Sequence, residues 1–197
     1  MPRSIPPVVA AGALSSRPQP VIEGDGLTLR PWAADDAGLL VGAFRDPAIR
    51  QWHRRSIDTA DEAEAWIAES GARWREDRGA NWVVVDRAGR AEGVAVGRVG
   101  LTRIDLTDGF GELSYWVLPD ERGRRIAVRA TNAVAGWAFA ELGLHRIELH
   151  HSTANEPSCR VARAAGFAAE GTARSMLLHD DGWHDVHLHA RLATDDR

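Results

Sequence analysis

The sequence predicts one mixed α/β domain built around a single sheet. Three observations point there. At 197 residues the chain can bury one well-packed core but is short for two. Segments with strand periodicity and segments with helix periodicity are interspersed rather than separated into blocks. No internal repeat and no interior Pro/Ser-rich linker divides them.

The elements follow in order. Residues 1–20, rich in Pro, Ser and Ala, are expected to be a disordered tail. Arg3 and "VVAAGAL" only faintly resemble a signal peptide, because prolines break the apolar run. "GDGLTLRPW" reads as a turn and a strand. Asp35 and Asp36 can start a helix through about Phe44. A longer helix follows over residues 56–77, where Thr59 and Glu62 have capping-box spacing. Ala63, Trp66, Ile67, Ser70 and Trp74 share one face of it, and core packing is preferred to a ligand wall for the tryptophans.

"NWVVVDRAGRAEGVAVGRVGLTRID" reads as two strands around a glycine-rich turn, and "GELSYWVLP" as a third strand ended by Pro119. Arg122 to Glu141 reads as a long helix stopped by Gly143. "HRIELHH" is a strand, Pro157 to Ala165 a short helix ended by Gly166, and the chain closes on a hairpin around "HDDGW". The expected domain therefore covers residues 21–192, with 193–197 as a C-terminal tail.

Composition narrows the function classes. A formal net charge of -4 gives no reason to expect a nucleic-acid partner. No apolar run approaches the roughly 20 residues that would span a bilayer, so no membrane partner is expected. The lone Cys159 excludes an internal disulfide and fits a reducing cytoplasm. His184, His187 and His189 crowd the last hairpin, and His187 and His189 share a face. No Cys or carboxylate spacing completes a metal site with them, so no metal is expected. Cys159 reads as a spectator thiol.

The strand–turn–helix "PDERGRRIAVRA" can bind an anion at the helix start, where backbone N–H groups are unpaired, and Arg122, Arg124 and Arg125 add charge. An acidic strand ending in "YWV-x-P", an R-x-x-G-x-A-type turn, and "N-x-x-S-x-R-V-x-x-x-x-G-F" occur in this order. On these motifs residues 112–167 resemble the GCN5-related N-acetyltransferases (GNAT). They look most like the RimJ/RimL-type branch of ribosomal-protein N-terminal acetyltransferases and their small-molecule relatives. The resemblance extends more loosely over residues 21–192.

The resemblance implies a mixed, mostly antiparallel sheet splayed between two parallel strands, with about four helices. It implies acetyl-coenzyme A as co-substrate and acyl transfer by direct attack in a ternary complex. The acceptor would be a small-molecule amine or a peptide N-terminus, and a homodimer is an open arrangement. Trp116 and Val117 would offer backbone groups to the pantetheine arm. The turn Arg122, Gly123, Arg124, Arg125, Ile126 and Ala127 would hold the pyrophosphate. Asn155 would hydrogen-bond the pantetheine, Ser158 would lie near the sulfur, and Arg160 and Arg163 would reach the nucleotide end or stay solvated. The family pattern has glycine where this chain has Arg125. If that residue must turn left-handed, arginine costs about 1–2 kcal/mol there, and a catalytically impaired coenzyme-binding or regulatory module becomes the alternative function.

Acyl transfer to an amine needs a proton acceptor, an oxyanion donor and a donor to the leaving thiolate. Glu112 is the expected base, with pairing to an arginine as its structural alternative, and His150 or His151 is the rival. Adjacent strand residues point oppositely, so at most one of the two histidines faces the site. A backbone N–H near Val117 would meet the oxyanion. Ser158 would donate to the thiolate or instead bond the helix backbone. Tyr115 is placed on the wrong element for that task. Trp52, His53, Arg54 and Arg55 suggest an acidic acceptor or peptide terminus, whereas Asp180, Asp181 and Asp185 suggest a cationic amine.

Overall fold

A computed structural model describes residues 5–53, 55–87 and 93–195. Arg54 and most of the turn expected between the two central strands lie outside them. Eight strands form one sheet: β1 (Ile22–Gly24), β2 (Leu27–Pro31), β3 (Ala80–Asp86), β4 (Val94–Asp105), β5 (Phe110–Val117), β6 (Arg146–Ser152), β7 (Ala168–His179) and β8 (Gly182–Leu192). Their order is β1-β2-β3-β4-β5-β6-β8-β7, and every neighbouring pair is antiparallel except β5–β6.

Five α-helices accompany the sheet: α1 (Ala37–Ala43), α2 (Pro47–Trp52), α3 (Ala60–Arg75), α4 (Ile126–Trp137) and α5 (Glu156–Ala164). The capping box of α3 forms as expected, with Thr59 accepting from the Glu62 N–H and Glu62 reaching back to the Thr59 N–H. Gly143, at φ 82°, ends the helical run after a π-helical turn over Ala138–Leu142. α2 lies between the two helices expected from the sequence. Asp46 caps it by accepting from the Ile49 N–H at 2.9 Å, and Pro47 occupies its first turn. Asp36 does not cap α1; it takes a bidentate pair of bonds from Arg30, both at 2.7 Å, and one from the Ala33 N–H.

The larger core lies between α4 and one sheet face, with Leu29, Trp82, Leu113, Ile147 and Trp137 among its buried residues. A smaller cluster of Leu40, Phe44, Ile49, Ile57 and Ala63 packs α1–α3 around Trp116. Alternation along β5 puts Leu113 in the first core and Trp116 in the second, so the two clusters occupy opposite faces.

The first segment corrects an expectation. Residues 5–20 were expected to be disordered, yet Leu14 is fully buried and Val9 nearly so. The Val8 and Val9 N–H groups bond the Thr107 and Leu106 carbonyls at 3.0 and 2.9 Å. Asp77, just past α3, accepts from the N–H groups of Gly12 (2.7 Å), Leu14 and Ser15 (both 2.9 Å). The indoles of Trp74 and Trp82 donate to the Arg17 and Pro20 carbonyls. A polar, proline-rich composition argued for disorder, but its backbone groups find partners some sixty residues away.

Candidate active site

β5 and β6 pair only from Phe110–Glu112 to Arg146–Glu148. Beyond Glu112 and Glu148 both strands continue, unpaired with one another, and the gap opens into a cleft of about 710 Å³. The Leu118 N–H bonds Val96 of β4. Strand alternation then turns the Trp116 backbone groups toward β4 and the Tyr115 and Val117 N–H groups toward the open side. The Trp116 indole lies in the smaller core.

Glu112 stands at the fork, in register with Glu148 on β6 and Arg103 on β4. It is half-buried and lines the cleft, and among the described residues its carboxylate has no hydrogen bond or ion pair. Glu148 is committed, to Arg146 at 2.7 Å and His150 at 2.9 Å. His150 therefore shares the Glu148 face. His151 points to the opposite, buried face, where its Nδ1 meets the Ser152 carbonyl at 2.8 Å.

On that buried side α5 closes the cleft. The Asn155 side-chain oxygen accepts from the Ser158 N–H at 3.2 Å, which leaves its amide N–H₂ group available. The Ser158 hydroxyl is not bonded to the backbone; it meets the Tyr115 hydroxyl at 2.9 Å. Tyr115 was excluded on the ground that it sits on β5, but its odd position faces α5. The parity shared with Leu113 was the available signal. Burial pushes the Tyr115 phenol up to about 12, so it is a donor throughout the neutral range.

The turn into α4 answers the question that Arg125 raised. Arg125 has φ 57° and ψ 19°, left-handed, and Gly123 has φ 80°. The Arg125 side chain is exposed and has no partner among the described residues. Among the described residues no side chain caps α4, so the first N–H groups of the helix, at Ile126 and Ala127, stay open to an anion. The other two arginines are tied to the protein. Arg122 pairs with Asp46 at 3.1 Å, and Arg124 pairs with Glu121 and buried Asp86.

The acceptor side is richer in cations than expected. Arg98 is buried, bonded among the described residues to the neutral groups Asn81 and Ser114, and stacked 5.6 Å over Trp66. Burial, and then the charge of Arg73, lower it to about 10, so it stays charged at neutral pH. Arg73 bonds the Thr102 carbonyl, and Arg103 lies over Phe110. Of the residues named from sequence, Trp52 and His53 line the cleft, but burial pushes His53 down to about 4 and keeps it neutral. Arg55 is paired with Glu69. Asp181 and Asp185 are bonded within the hairpin region, to His184 and to the Ser175 N–H. Trp74 is core, whereas Trp66 is half-buried and walls the cleft, so the two tryptophans part.

The expectation that no cysteine joins the hairpin histidines rested on sequence spacing. In the fold Cys159 lies beside His151, His187 and His189.

The site is thus a splayed parallel pair of strands with an open helix start beside it. The acetyltransferase (GNAT) domain model matches residues 26–168, and the chain belongs to that family. YdaF of Bacillus subtilis (strain 168) is 30% identical over 48% of this chain and 52% of its own length. The ribosomal-protein-serine acetyltransferase of Escherichia coli (strain K12) is 29% identical over 49% of this chain and 54% of its own. The chain spans about half the length of YdaF, YjcK and YnaD, three of the curated relatives it matches. Mycobacterium smegmatis RimJ, solved in complex with CoA-disulfide, has the same fold, with a TM-score of 0.79 and 23% identity over 88% of this chain and 86% of that one. Among the described residues no helix is long and apolar enough to cross a membrane.

Proposed function

We propose that this protein transfers an acetyl group from acetyl-coenzyme A to a primary amine by direct attack in a ternary complex. The observation that carries this is the split of β5 from β6 with an unpaired carboxylate, Glu112, at its fork. Acetyl-coenzyme A would enter along the open side of β5, as a strand-like partner of the Tyr115 and Val117 backbone, with Asn155 donating to the pantetheine. The diphosphate would rest on the start of α4, under Arg125. That RimJ, a protein of the same fold, was solved in complex with CoA-disulfide supports a coenzyme A partner.

Glu112 would take the amine proton, directly or through a water. The Val117 N–H would meet the oxyanion. The thiolate would receive a hydrogen bond from the Tyr115–Ser158 pair. These two hydroxyls act as a unit, so Tyr115→Phe and Ser158→Ala are each expected to lower kcat about tenfold, and the double variant to lower it little further. Additive losses in steady-state kinetics would separate the two roles.

The surplus of Arg73, Arg98 and Arg103 over carboxylates supports an acceptor that carries an anionic group near its amine, such as an acidic peptide terminus or an acidic small molecule. The exposed Leu178 and Trp183 of the β7–β8 hairpin support a macromolecular contact, a homodimer included. The cytoplasm, where acetyl-coenzyme A is available, fits as the compartment.

Arg125 decides between this function and an impaired binding module. Its backbone already adopts the conformation a glycine would take. Arg125→Gly is expected to stabilise the fold by about 1 kcal/mol, by relieving the left-handed strain. The same variant should bind acetyl-coenzyme A about tenfold more weakly in calorimetry, the worth of one charge-assisted contact of ~1.4 kcal/mol. Binding by the glycine variant alone would mark the wild-type cradle as broken and favour the regulatory alternative. Saturable binding without thiol release across acidic and neutral amines would refute transfer.

A further inference from the structure

We infer that His151, His187, His189 and Cys159 form a tetrahedral site for a single zinc ion, outside the acyl-transfer machinery. One ligand atom from each of the four lies within 4.8 Å of all the others. They come from three elements, β6, β8 and α5, packed on one sheet face. His151 and His187 are register partners, and His189 sits opposite Leu149 on the same face.

The histidine nitrogens carry the argument. His151 and His189 are 5% and 1% exposed, and the Nε2 of each is buried without a hydrogen-bond partner. The Nδ1 of His187 is in the same condition. A buried polar atom left unsatisfied is destabilising, and three of the histidines in this cluster each carry one. Their tautomers suit a metal. The His151 Nδ1 faces the Ser152 carbonyl at 2.8 Å, and the His189 Nδ1 faces the Phe167 carbonyl at 3.4 Å. A carbonyl only accepts, so each Nδ1 carries the proton and each Nε2 presents a bare lone pair. An imidazole that gives its other N–H to a backbone carbonyl is the usual outer arrangement of a metal-bound histidine.

Three imidazoles and a thiolate are a borderline-soft donor set that suits zinc better than magnesium or calcium. Zinc needs bonds of about 2.0–2.3 Å and donors roughly 3.5 Å apart, which small side-chain rotations supply from the observed spacing. His187 and Cys159 are half-buried and give the ion a path inward. Binding converts the Cys159 thiol to thiolate and releases its proton to solvent. The ion would pin α5, which begins beside Asn155 and carries Ser158, to β6 and β8.

The full chain, stripped with a chelator and titrated with cobalt(II), tests this. We expect one equivalent to bind with the visible bands of a tetrahedral ion and a thiolate-to-cobalt charge-transfer band. Zinc should displace the cobalt and raise the melting temperature. Cys159→Ser should abolish the charge-transfer band. His187→Ala should weaken binding by more than the about 10–100-fold that loss of an outer partner costs. The double variant His179→Gln/His184→Gln should leave the titration unchanged, which sets aside the other close imidazole pair, 4.7 Å apart. If Cys159→Ser does not fold, His187→Ala gives the same decision from a half-exposed position. An aqueous-type cobalt spectrum in the wild type, or a titration that Cys159→Ser leaves intact, would mean that water or the imidazoles themselves fill the space, and would overturn the site.

Discussion

Glu112→Gln is expected to lower kcat by about 10²–10⁴-fold, the usual worth of a positioned general base, while acetyl-coenzyme A still binds with unchanged affinity. The reason is local. Glu112 is the last residue of β5 paired to β6, and its carboxylate faces the cleft with no hydrogen bond or ion pair among the described residues. Glutamine keeps its shape and removes only its ability to take a proton. The neighbouring Glu148 is held by Arg146 and His150, so Glu148→Gln should cost far less. Pre-steady-state kinetics with a saturating amine, beside a calorimetric titration, reads both quantities. Unchanged turnover would move the proton to His150, the rival base on that face. Lost coenzyme binding would make Glu112 a structural residue of the fork.

Asp77→Gly is expected to destabilise the protein by about 2 kcal/mol, even though glycine is better suited to the left-handed φ of 57° found there. Three backbone N–H groups of the first segment converge on this one carboxylate. For a chain of this size that is a fall in melting temperature of about 4–8 °C. Amide exchange at Gly12, Leu14 and Ser15 should accelerate selectively in the variant. Burial by itself would raise the Asp77 carboxyl; the bonds from Ser15, Gly12 and Leu14 outweigh it and hold the group below its usual range. A lowered folded value contributes stability above the unfolded value near ~3.9 and loses it as the pH falls through the folded one. Acid should therefore release the segment in the wild type, whereas the variant should show no such transition. A wild-type melting temperature in Asp77→Gly would mean that buried Leu14 and Val9 and the remaining backbone bonds hold the segment without it.

Much of the layout was legible because local chemistry announced it. Thr59 and Glu62 marked the start of α3, Gly143 and Gly166 marked helix ends, and the acidic strand, basic turn and Asn155–Ser158 helix kept their order. α2 was legible too, in Asp46–Pro47, but a helix of six residues offers too little periodicity to be noticed. Other features depend on distance in space. The partners of residues 12–20 lie near residues 77–82, so composition suggested disorder. Cys159 precedes His187 by nearly the whole last hairpin; the β6–β8 register sets His187 beside His151, and the packing of α5 brings Cys159 to both. Tyr115 was within reach of strand parity. The pairing of Arg122 with Asp46 and of Arg124 with Asp86 was not, since like-looking arginines in one turn carry no sign of which will be neutralised.

The strand order also governs how this chain can be assembled during synthesis. β8 is the last strand in the sequence, yet it lies inside the sheet, between β6 and β7. β7 pairs with β8 only, so it has no template until β8 emerges. Until then β6 is an open edge beside the fork, the kind of edge that invites pairing with another chain. The far wall of the cleft is thus the last part of the molecule to close, and a nascent chain halted before Gly182 would expose the strand that the finished protein keeps covered.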